Sequence, residues 1–384
     1  MSNATDTFCL PGANNFNKAY SRLHGYIAII ICIVGSATNS INIAVLSRRE
    51  MTSSTNSILT GLAVADLLVM LEYIPYALHM NIKIGPQVNK NTYAWTIFVY
   101  FHSIFSQTFH TISIWLAVTL AVWRYVAIAY PQKNRTWCSK RNTAMAIISA
   151  YVICPFLCLP IYFAMNIVPS EVTSQNNSEF AEEMSLPQNR TVYVLEMSKN
   201  VGLVTAIMWI YSVILKLVPC IALSILSLCL ISKLTTTERK RQKLLKRSTV
   251  VPNEVRHTLV TITYRTDRTT RMLLAVLGLF LSTEVPQGLL GLASALAPNF
   301  FKNCYSDLMD VLALFTSSVN FVLYCSMSRQ FRCTFARLAR RMLSTSEEPN
   351  KFATKLEATT QVPHVHVAFI LPLSFFITLC CLKI

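Results

Sequence analysis

One uninterrupted apolar stretch limits the possible folds of this chain more than any other feature. Residues Tyr93–Trp123 contain no Asp, Glu, Lys or Arg, and the stretch ends at Arg124. About 20 apolar residues are enough for a helix to cross a bilayer. An arginine that closes such a stretch is expected at a membrane face, where its side chain can reach water or bind a neighbouring helix. The stretch therefore predicts a transmembrane helix with Arg124 at one end.

Further apolar runs of similar length bring the total to seven, which we number in chain order as spans one to seven. They are Gly25–Leu46, Ser57–Ile82, Tyr93–Trp123, Asn142–Met165, Val201–Ser232, Met272–Ala297 and Tyr305–Ser326. With 53% hydrophobic and only 14% charged residues, the chain is too apolar for a soluble domain. We therefore expect an all-α membrane protein with a seven-transmembrane helix bundle, and we expect no nucleic-acid partner despite the net charge of +16.

The distribution of charge predicts the orientation of the bundle. Lys and Arg crowd the segments after spans one, three, five and seven, whereas acidic residues collect in Asn166–Asn200 after span four. The positive-inside rule then places the amino terminus outside the cell and the carboxyl terminus in the cytoplasm. In this orientation the glycosylation sequons that begin at Asn3, Asn176 and Asn189 are extracellular.

The chain divides into four expected regions. Residues 1–24 form an extracellular amino terminus without a cleavable signal peptide, and residues 25–326 form the bundle. Residues 327–343 place Phe331 and Phe335 on one face with arginines around it, which predicts an amphipathic interfacial helix with Cys333 as a palmitoylation candidate. Residues 344–384 are expected to be a cytoplasmic tail with an apolar end.

Four charged residues lie inside predicted spans two, five and six, namely Asp66, Glu72, Lys216 and Glu284. Such residues are rare in a bilayer, face the bundle interior and mark functional sites. In a transporter or channel they would line an ion path, although no internal repeat supports that class. No HExxH or GxSxG motif is present, so we expect no enzymatic activity.

Several short motifs, in order along the seven spans, resemble those of rhodopsin-like G-protein-coupled receptors. They are Asn39, the LAVAD motif ending in Asp66, Trp95, Arg124-Tyr125, Pro219, Phe280 with Pro286, and Asn320-Phe-Val-Leu-Tyr324. The chain departs from that family at Trp123, where an acidic residue is usual, at Glu284, where a switch tryptophan is usual, and at Phe321, where a proline is usual.

Longer stretches resemble the invertebrate myosuppressin, FMRFamide-like and sex-peptide receptor group. These stretches are LAVADLLVMLEYIPYAL, DRTTRMLLAVLGLFLSTEVPQG and NFVLYCSMSRQFR. The resemblance implies a plasma-membrane receptor for an extracellular neuropeptide that activates a heterotrimeric G protein, with the inhibitory class expected. An aminergic receptor would need a carboxylate in span three and an opsin a lysine in span seven, and neither span contains that residue.

The resemblance also implies roles for polar residues in the lower half of the bundle. Asn39, Asp66, Ser113 and Asn320 would form a polar site that holds either a sodium ion or a hydrated hydrogen-bond network. Arg124, Tyr125 and Tyr324 would contact the G protein. Because Trp123 replaces the usual acidic partner of Arg124, we expect a weaker resting lock and higher basal activity.

A second expected group is a switch at the base of the ligand cavity. Lys216 and Glu284 are lone charges in their spans, and alignment with the family points both towards this base, near His110 and Pro286. Because an unpaired buried charge is costly, we predict that Lys216 pairs with Glu284. The alternative is that each charge finds water or a backbone carbonyl separately.

The ligand itself is expected to bind in the outer half of the bundle. The candidate residues are Glu72, Tyr73, Tyr76, His102, Gln107, Gln287, Asp307 and Asp310. A peptide ending in Arg-Phe-amide would insert its carboxyl end first and place its arginine on Glu72 or Asp310, because a carboxylate binds a guanidinium in a bidentate pair. Alternatively, Glu72 bonds within the bundle and the two aspartates face water.

Most receptors of the resembled family have a disulfide between the top of span three and the loop after span four. The span-three cysteine would lie near Val99, where this chain has none, and Asn166–Asn200 also lacks cysteine. We therefore expect that bridge to be missing. Cys9 and Cys304 are left as an extracellular pair, either bridged or as two free thiols.

Overall fold

In a computed structural model, the described residues are 13–82, 91–171, 191–247, 278, 281–293, 296 and 306–346. Within these ranges five helices are long and apolar enough to cross a membrane, and they carry spans one to five. Span six is described over residues 281–293, and span seven is the helix Ser306–Met327. The predicted all-α seven-span bundle is confirmed.

Spans two, three and four begin within three residues of the predicted runs, although span three continues six residues further. Span one begins at Ala13, twelve residues earlier than predicted, so its helix includes the second half of the region expected as an amino terminus. The helices of these four spans are Ala13–Leu46, Ser54–Met80, Tyr93–Ala129 and Lys140–Tyr162. Ser53 and Ser139 cap spans two and four, since each side-chain oxygen accepts a hydrogen bond from the backbone N–H three residues later.

Span five changes its helical form where it reaches the centre of the bundle. It consists of an α-helix Val201–Trp209, a π-helical segment Ile210–Leu217 and an α-helix Val218–Arg247. Pro219 lacks a backbone N–H, so the regular α-helical ladder cannot continue through it. The final helix extends beyond Ser232, where the sequence predicted the span to end, because the basic residues that follow are favourable in a solvated helix.

Span six packs closely on the π-helical segment at two glycines. A Cβ atom added at Gly291 would lie 2.5 Å from Ser212 Oγ, and one added at Gly288 would lie 2.9 Å from Leu217 Cδ2. Only a residue without a side chain allows this approach. The contact brings the polar residues of span six beside Lys216.

Span three lies in the middle of the described bundle and contacts spans two, four and five. Span one packs along spans two and seven. An apolar core that includes Val45, Ile58 and Leu116 joins spans one to four. This core fixes the rotation of each helix, and therefore which polar side chains meet inside.

One end of the bundle, here called the sheet end, carries two antiparallel strands, β1 (Met165–Glu171) and β2 (Thr191–Met197), with Val168 opposite Val194. From its composition, Asn166–Asn200 was expected only as an acidic segment after span four. The strands contain a few β-branched residues, Ile167 and Val168 in β1 and Thr191, Val192 and Val194 in β2, which are weak signals over seven residues.

The opposite end, here called the helix end, carries the short helix Pro131–Trp137 and the interfacial helix Arg329–Ser346. The interfacial helix starts and ends two to three residues later than the predicted 327–343. Its Phe331 and Phe335 are buried in the apolar core of the bundle, and Arg337 forms an ion pair with Glu50 in the turn after span one. The helix is therefore amphipathic, as predicted, and also packs against the bundle itself.

Candidate functional site

A cavity of about 260 Å³ lies between spans two, three, five, six and seven in the half of the bundle near the sheet end. Six of the eight residues predicted to bind ligand line it, namely Tyr73, Tyr76, His102, Gln107, Gln287 and Asp310. His110 and Lys216 from the predicted switch line it as well. Glu72 and Asp307 are not among its lining residues.

Sequence reasoning missed part of the lining, including Ser103, Ser106, Tyr211 and Ser317. A signal was present for the serines, because Ser103, Ser106, Gln107 and His110 follow the spacing of one helix face. The serines were overlooked because small residues of this kind are common in membrane helices and a single one does not indicate a binding site.

The floor of the cavity is a network of paired charges. Lys216 Nζ donates to Glu284 Oε2 at 2.6 Å and to Gln287 Oε1 at 2.8 Å. His110 Nε2 lies 2.8 Å from Glu284 Oε1. Lys216 and Glu284 are each only 1% exposed. The predicted pairing of Lys216 with Glu284 is confirmed, and it reduces the cost of burying both charges.

The wall formed by spans two and three holds a carboxylate–imidazole pair. Glu72 Oε2 and Oε1 lie 2.8 and 2.9 Å from His102 Nδ1. The His102 ring stacks on Tyr76, with ring centroids 3.7 Å apart and planes 8° apart. Tyr73 meets both rings edge-on at 5.4 Å. Glu72 therefore bonds within the bundle and fixes an aromatic surface on the cavity wall.

Asp310 on span seven differs from the other two carboxylates. Its side chain is exposed and lines the cavity. Within the described part of the chain it has neither a hydrogen-bond nor an ion-pair partner, whereas Glu72 and Glu284 each have one within 2.9 Å. Asp310 is thus a carboxylate available to a ligand.

The predicted ion-type site is partly assembled one level below the cavity floor. Asp66 is 2% exposed, and Ser113 Oγ donates to its Oδ1 at 2.8 Å. Asn39 Nδ2 donates to the backbone oxygens of Gly35 and Ser317, both at 3.1 Å. Asn39 Oδ1 is buried without a hydrogen-bond partner in the described residues. These oxygens are of the type that a hard cation prefers.

At the helix end, the residue that replaces the expected acid of span three bonds to span four. Trp123 Nε1 donates to Thr143 Oγ1 at 2.9 Å. Arg124 is half-buried beside it, and the Tyr125 ring meets Tyr130 edge-on at 6.4 Å. Trp123 therefore joins two spans.

The remaining predicted site residues are only partly covered by the description. Pro286 lies in span six, two residues after Glu284, and Cys333 is exposed on the interfacial helix. The side chains of Asn320 and Tyr324 lie outside the described set, as do Cys9, Cys304 and the sequon residues Asn3, Asn176 and Asn189.

Comparison with known proteins gives matches along most of the chain. The family model described as "Serpentine type 7TM GPCR chemoreceptor Srw" matches residues 26–342. The G-protein coupled receptor dmsr-1 of Caenorhabditis elegans is 29% identical over 353 residues, which cover 83% of this chain and 68% of that protein. The sex peptide receptor of Drosophila melanogaster is 27% identical over 354 residues, covering 86% and 76%. The FMRFamide receptor of Drosophila melanogaster is 22% identical over 340 residues, covering 85% and 55%.

Proposed function

The chain belongs to the Srw family of serpentine seven-transmembrane G-protein-coupled receptors, and on that premise we propose that it is a neuropeptide receptor of the plasma membrane. Two of its relatives are named for a peptide, the sex peptide receptor and the FMRFamide receptor. In this proposal residues 1–24 and the sheet end are extracellular, and the helix end and residues 344–384 are cytoplasmic. The positive-inside rule supports this orientation.

The single observation that carries the ligand proposal is the available carboxylate of Asp310. Lys216 offsets the charge of Glu284, and His102 contacts both oxygens of Glu72, so Asp310 gives the cavity its uncompensated negative group. Such a cavity favours a cationic ligand and disfavours an anionic one. A guanidinium fits a carboxylate with two parallel hydrogen bonds, a geometry that an ammonium cannot match.

We propose that the ligand is a peptide with an Arg-Phe-amide carboxyl end, inserted end first, with its arginine on Asp310. The stacked Tyr76 and His102 rings offer an aromatic surface on which the phenylalanine can pack. Glu72 is the weaker candidate for the arginine because its oxygens already contact His102 Nδ1 and it is not among the residues that line the cavity.

The paired charges of the cavity floor are proposed to act as the switch. Glu284 stands two residues before Pro286, and Gln287 both lines the cavity and accepts a hydrogen bond from Lys216. A ligand group that competes for Gln287 would alter the bonds that hold span six to span five, and one that competes for His110 would alter the bond that holds span six to span three. Because each floor residue bonds across helices, such a change is coupled to helix position.

The helix end is proposed as the coupling surface, with Arg124, Tyr125 and Tyr324 in contact with a heterotrimeric G protein of the inhibitory class. A sodium ion between Asp66, Ser113 and Asn39 is proposed to stabilise the resting state, and Asn320 would complete the site. The transporter alternative gains no support from the three relatives above, since each is named as a receptor.

The test is agonist-driven nucleotide exchange in membranes that contain the receptor and purified G proteins. Peptides with an Arg-Phe-amide end should stimulate exchange on an inhibitory-class G protein, and their free-acid or arginine-to-glutamate forms should not. Activation by anionic peptides in preference to cationic ones would contradict the proposal.

A further inference from the structure

The β1–β2 sheet is held against span three at the level where related receptors have a disulfide. The chain has no cysteine in residues 166–200, so the sheet must be fixed by other means. The structure supplies side-chain hydrogen bonds from two residues of span three. Thr96 bonds to a backbone oxygen of β2, and Tyr100 bonds to a backbone oxygen at the end of span four, just before β1.

Thr96 makes the contact with β2. Its Oγ1 donates to Tyr193 O at 3.0 Å and lies 3.1 Å from Thr92 O, and its side chain is almost fully buried. The N–H of Tyr193 donates to Asn91 O at 3.0 Å, so both backbone groups of this strand residue bond away from β1. The Tyr193 ring also meets Tyr93 edge-on at 5.0 Å.

Tyr100 makes the contact with the end of span four, three residues before β1 begins. Its Oη donates at 2.8 Å to the backbone oxygen of Tyr162, the last residue of span four, and their rings lie 5.2 Å apart. Ser198 N donates to Ala164 O at 2.7 Å and closes the base of the sheet. Thr96 and Tyr100 are four residues apart and therefore lie on one face of span three, one helical turn from each other.

We propose that Thr96 and Tyr100 form a hydrogen-bonded clasp that takes the place of the missing disulfide and positions the β1–β2 sheet for peptide binding. The cavity lining begins at His102, six residues after Thr96, which is roughly 9 Å further along the helix. The clasp therefore fixes the sheet directly above the cavity. Its role in ligand binding rests on the proposed function, whereas its role in holding the sheet does not.

A clasp of this kind is weaker than a covalent bridge and needs no redox chemistry to open. The net contribution of one hydrogen bond corresponds to about three- to tenfold in an equilibrium constant. The sheet should therefore exchange between held and released states that a ligand can bias towards the held one.

The experiment is amide hydrogen exchange on residues 191–197 of the purified full-length receptor, together with agonist potency in the nucleotide-exchange assay. Thr96→Val and Tyr100→Phe each remove one donor and should speed exchange in this strand by about three- to tenfold, with a comparable loss of potency. Thr96→Ser keeps the hydroxyl and should behave as the unaltered receptor. Thr119→Val is the matched control, because Thr119 Oγ1 bonds only to Trp115 O of its own helix in the described structure.

The outcomes separate the two levels of the claim. Unchanged exchange in both variants overturns the clasp. Faster exchange without loss of potency overturns the positioning role, as does an equal loss of potency in the Thr96→Ser or Thr119→Val receptor. If no Arg-Phe-amide peptide activates the unaltered receptor, the proposed function fails, and the exchange rates still decide whether the clasp holds the sheet.

Discussion

The floor and the span-seven wall of the cavity both carry buried or cavity-facing acids, but only the floor compensates its acid. Glu284 is bonded to Lys216 and His110 within 2.8 Å, whereas Asp310 faces the cavity without a hydrogen-bond or ion-pair partner in the described residues. A charge paired inside the protein stabilises an arrangement of helices, and an unpaired one is available to a ligand of opposite charge. We therefore propose that the floor transmits the signal and that Asp310 recognises the ligand.

The largest effect is expected from breaking the floor pair. Glu284→Gln leaves the Lys216 ammonium without its counter-charge in the centre of the bundle, which typically costs about 3–5 kcal/mol. We expect a severe loss of signalling and of surface expression, measured by cell-surface labelling and nucleotide exchange. Lys216→Met should be equally damaging.

The control for the floor pair is the double variant with exchanged charges, Lys216→Glu with Glu284→Lys. It should regain part of the surface expression and signalling that either single change removes. Additive losses in this double-mutant cycle would show that the pair carries no coupling energy.

Asp310→Asn tests recognition and should have the next largest effect. Once a bound peptide fills the cavity and excludes water from Asp310, truncating one partner of the charge pair costs about 2–5 kcal/mol, so the potency of an arginine-containing agonist should fall by more than about tenfold at normal surface expression. Asp307→Asn is the matched control, because it lies one turn away on the same span and outside the cavity lining. An equal loss in both variants would mean that the negative charge of the region, rather than Asp310, attracts the ligand.

The His102→Phe variant tests whether the contact with His102 keeps Glu72 from binding the arginine of the ligand. The substitution keeps an aromatic ring beside Tyr76 but removes the partner of Glu72, and an unsatisfied buried group costs about 1–3 kcal/mol. Thermal stability should fall, while the preference for arginine over a neutral residue in the peptide should remain. Loss of that preference, without Asp310 being altered, would transfer the recognition role to the wall of spans two and three.

The smallest effect is expected from substitutions at the helix end. Trp123→Phe removes the hydrogen bond to Thr143, worth about 0.5–1.5 kcal/mol, and should change basal nucleotide exchange by a few-fold, as should Thr143→Val. Trp123→Asp supplies an acidic neighbour to Arg124 and should lower basal exchange below that of Trp123→Phe. Equal basal activity in the Asp and Phe variants would argue against an acid-dependent resting lock.

These two regions were predictable from the sequence to different degrees. The pairing of Lys216 with Glu284 followed from the cost of lone charges in a bilayer, which leaves few alternatives. The contact between Glu72 and His102 could not be predicted from the sequence, because the rotation of spans two and three about their axes decides which side chains meet. That rotation is set by packing around residues such as Leu116 and Ile58, whose contacts a sequence pattern does not define.

Departures of the backbone from regular α-helix were the features that the sequence predicted least well. Pro219 signalled a disturbance in span five, but not that eight preceding residues would adopt a π-helix, which shifts the register of Lys216. The seven spans themselves were clear from length and polarity alone, because a bilayer requires helices whose backbone groups are bonded internally.

The central claim is that Asp310 binds the arginine of the ligand. The most direct measurement is a cycle of agonist potencies in which Asp310→Asn is combined with a peptide whose arginine is replaced by uncharged norleucine. We predict that the unaltered receptor prefers the arginine peptide by more than about tenfold, and that the Asp310→Asn receptor, at equal surface expression, responds almost equally to both peptides. If the Asp310→Asn receptor keeps the full preference for arginine, Asp310 does not bind that side chain and the account is contradicted.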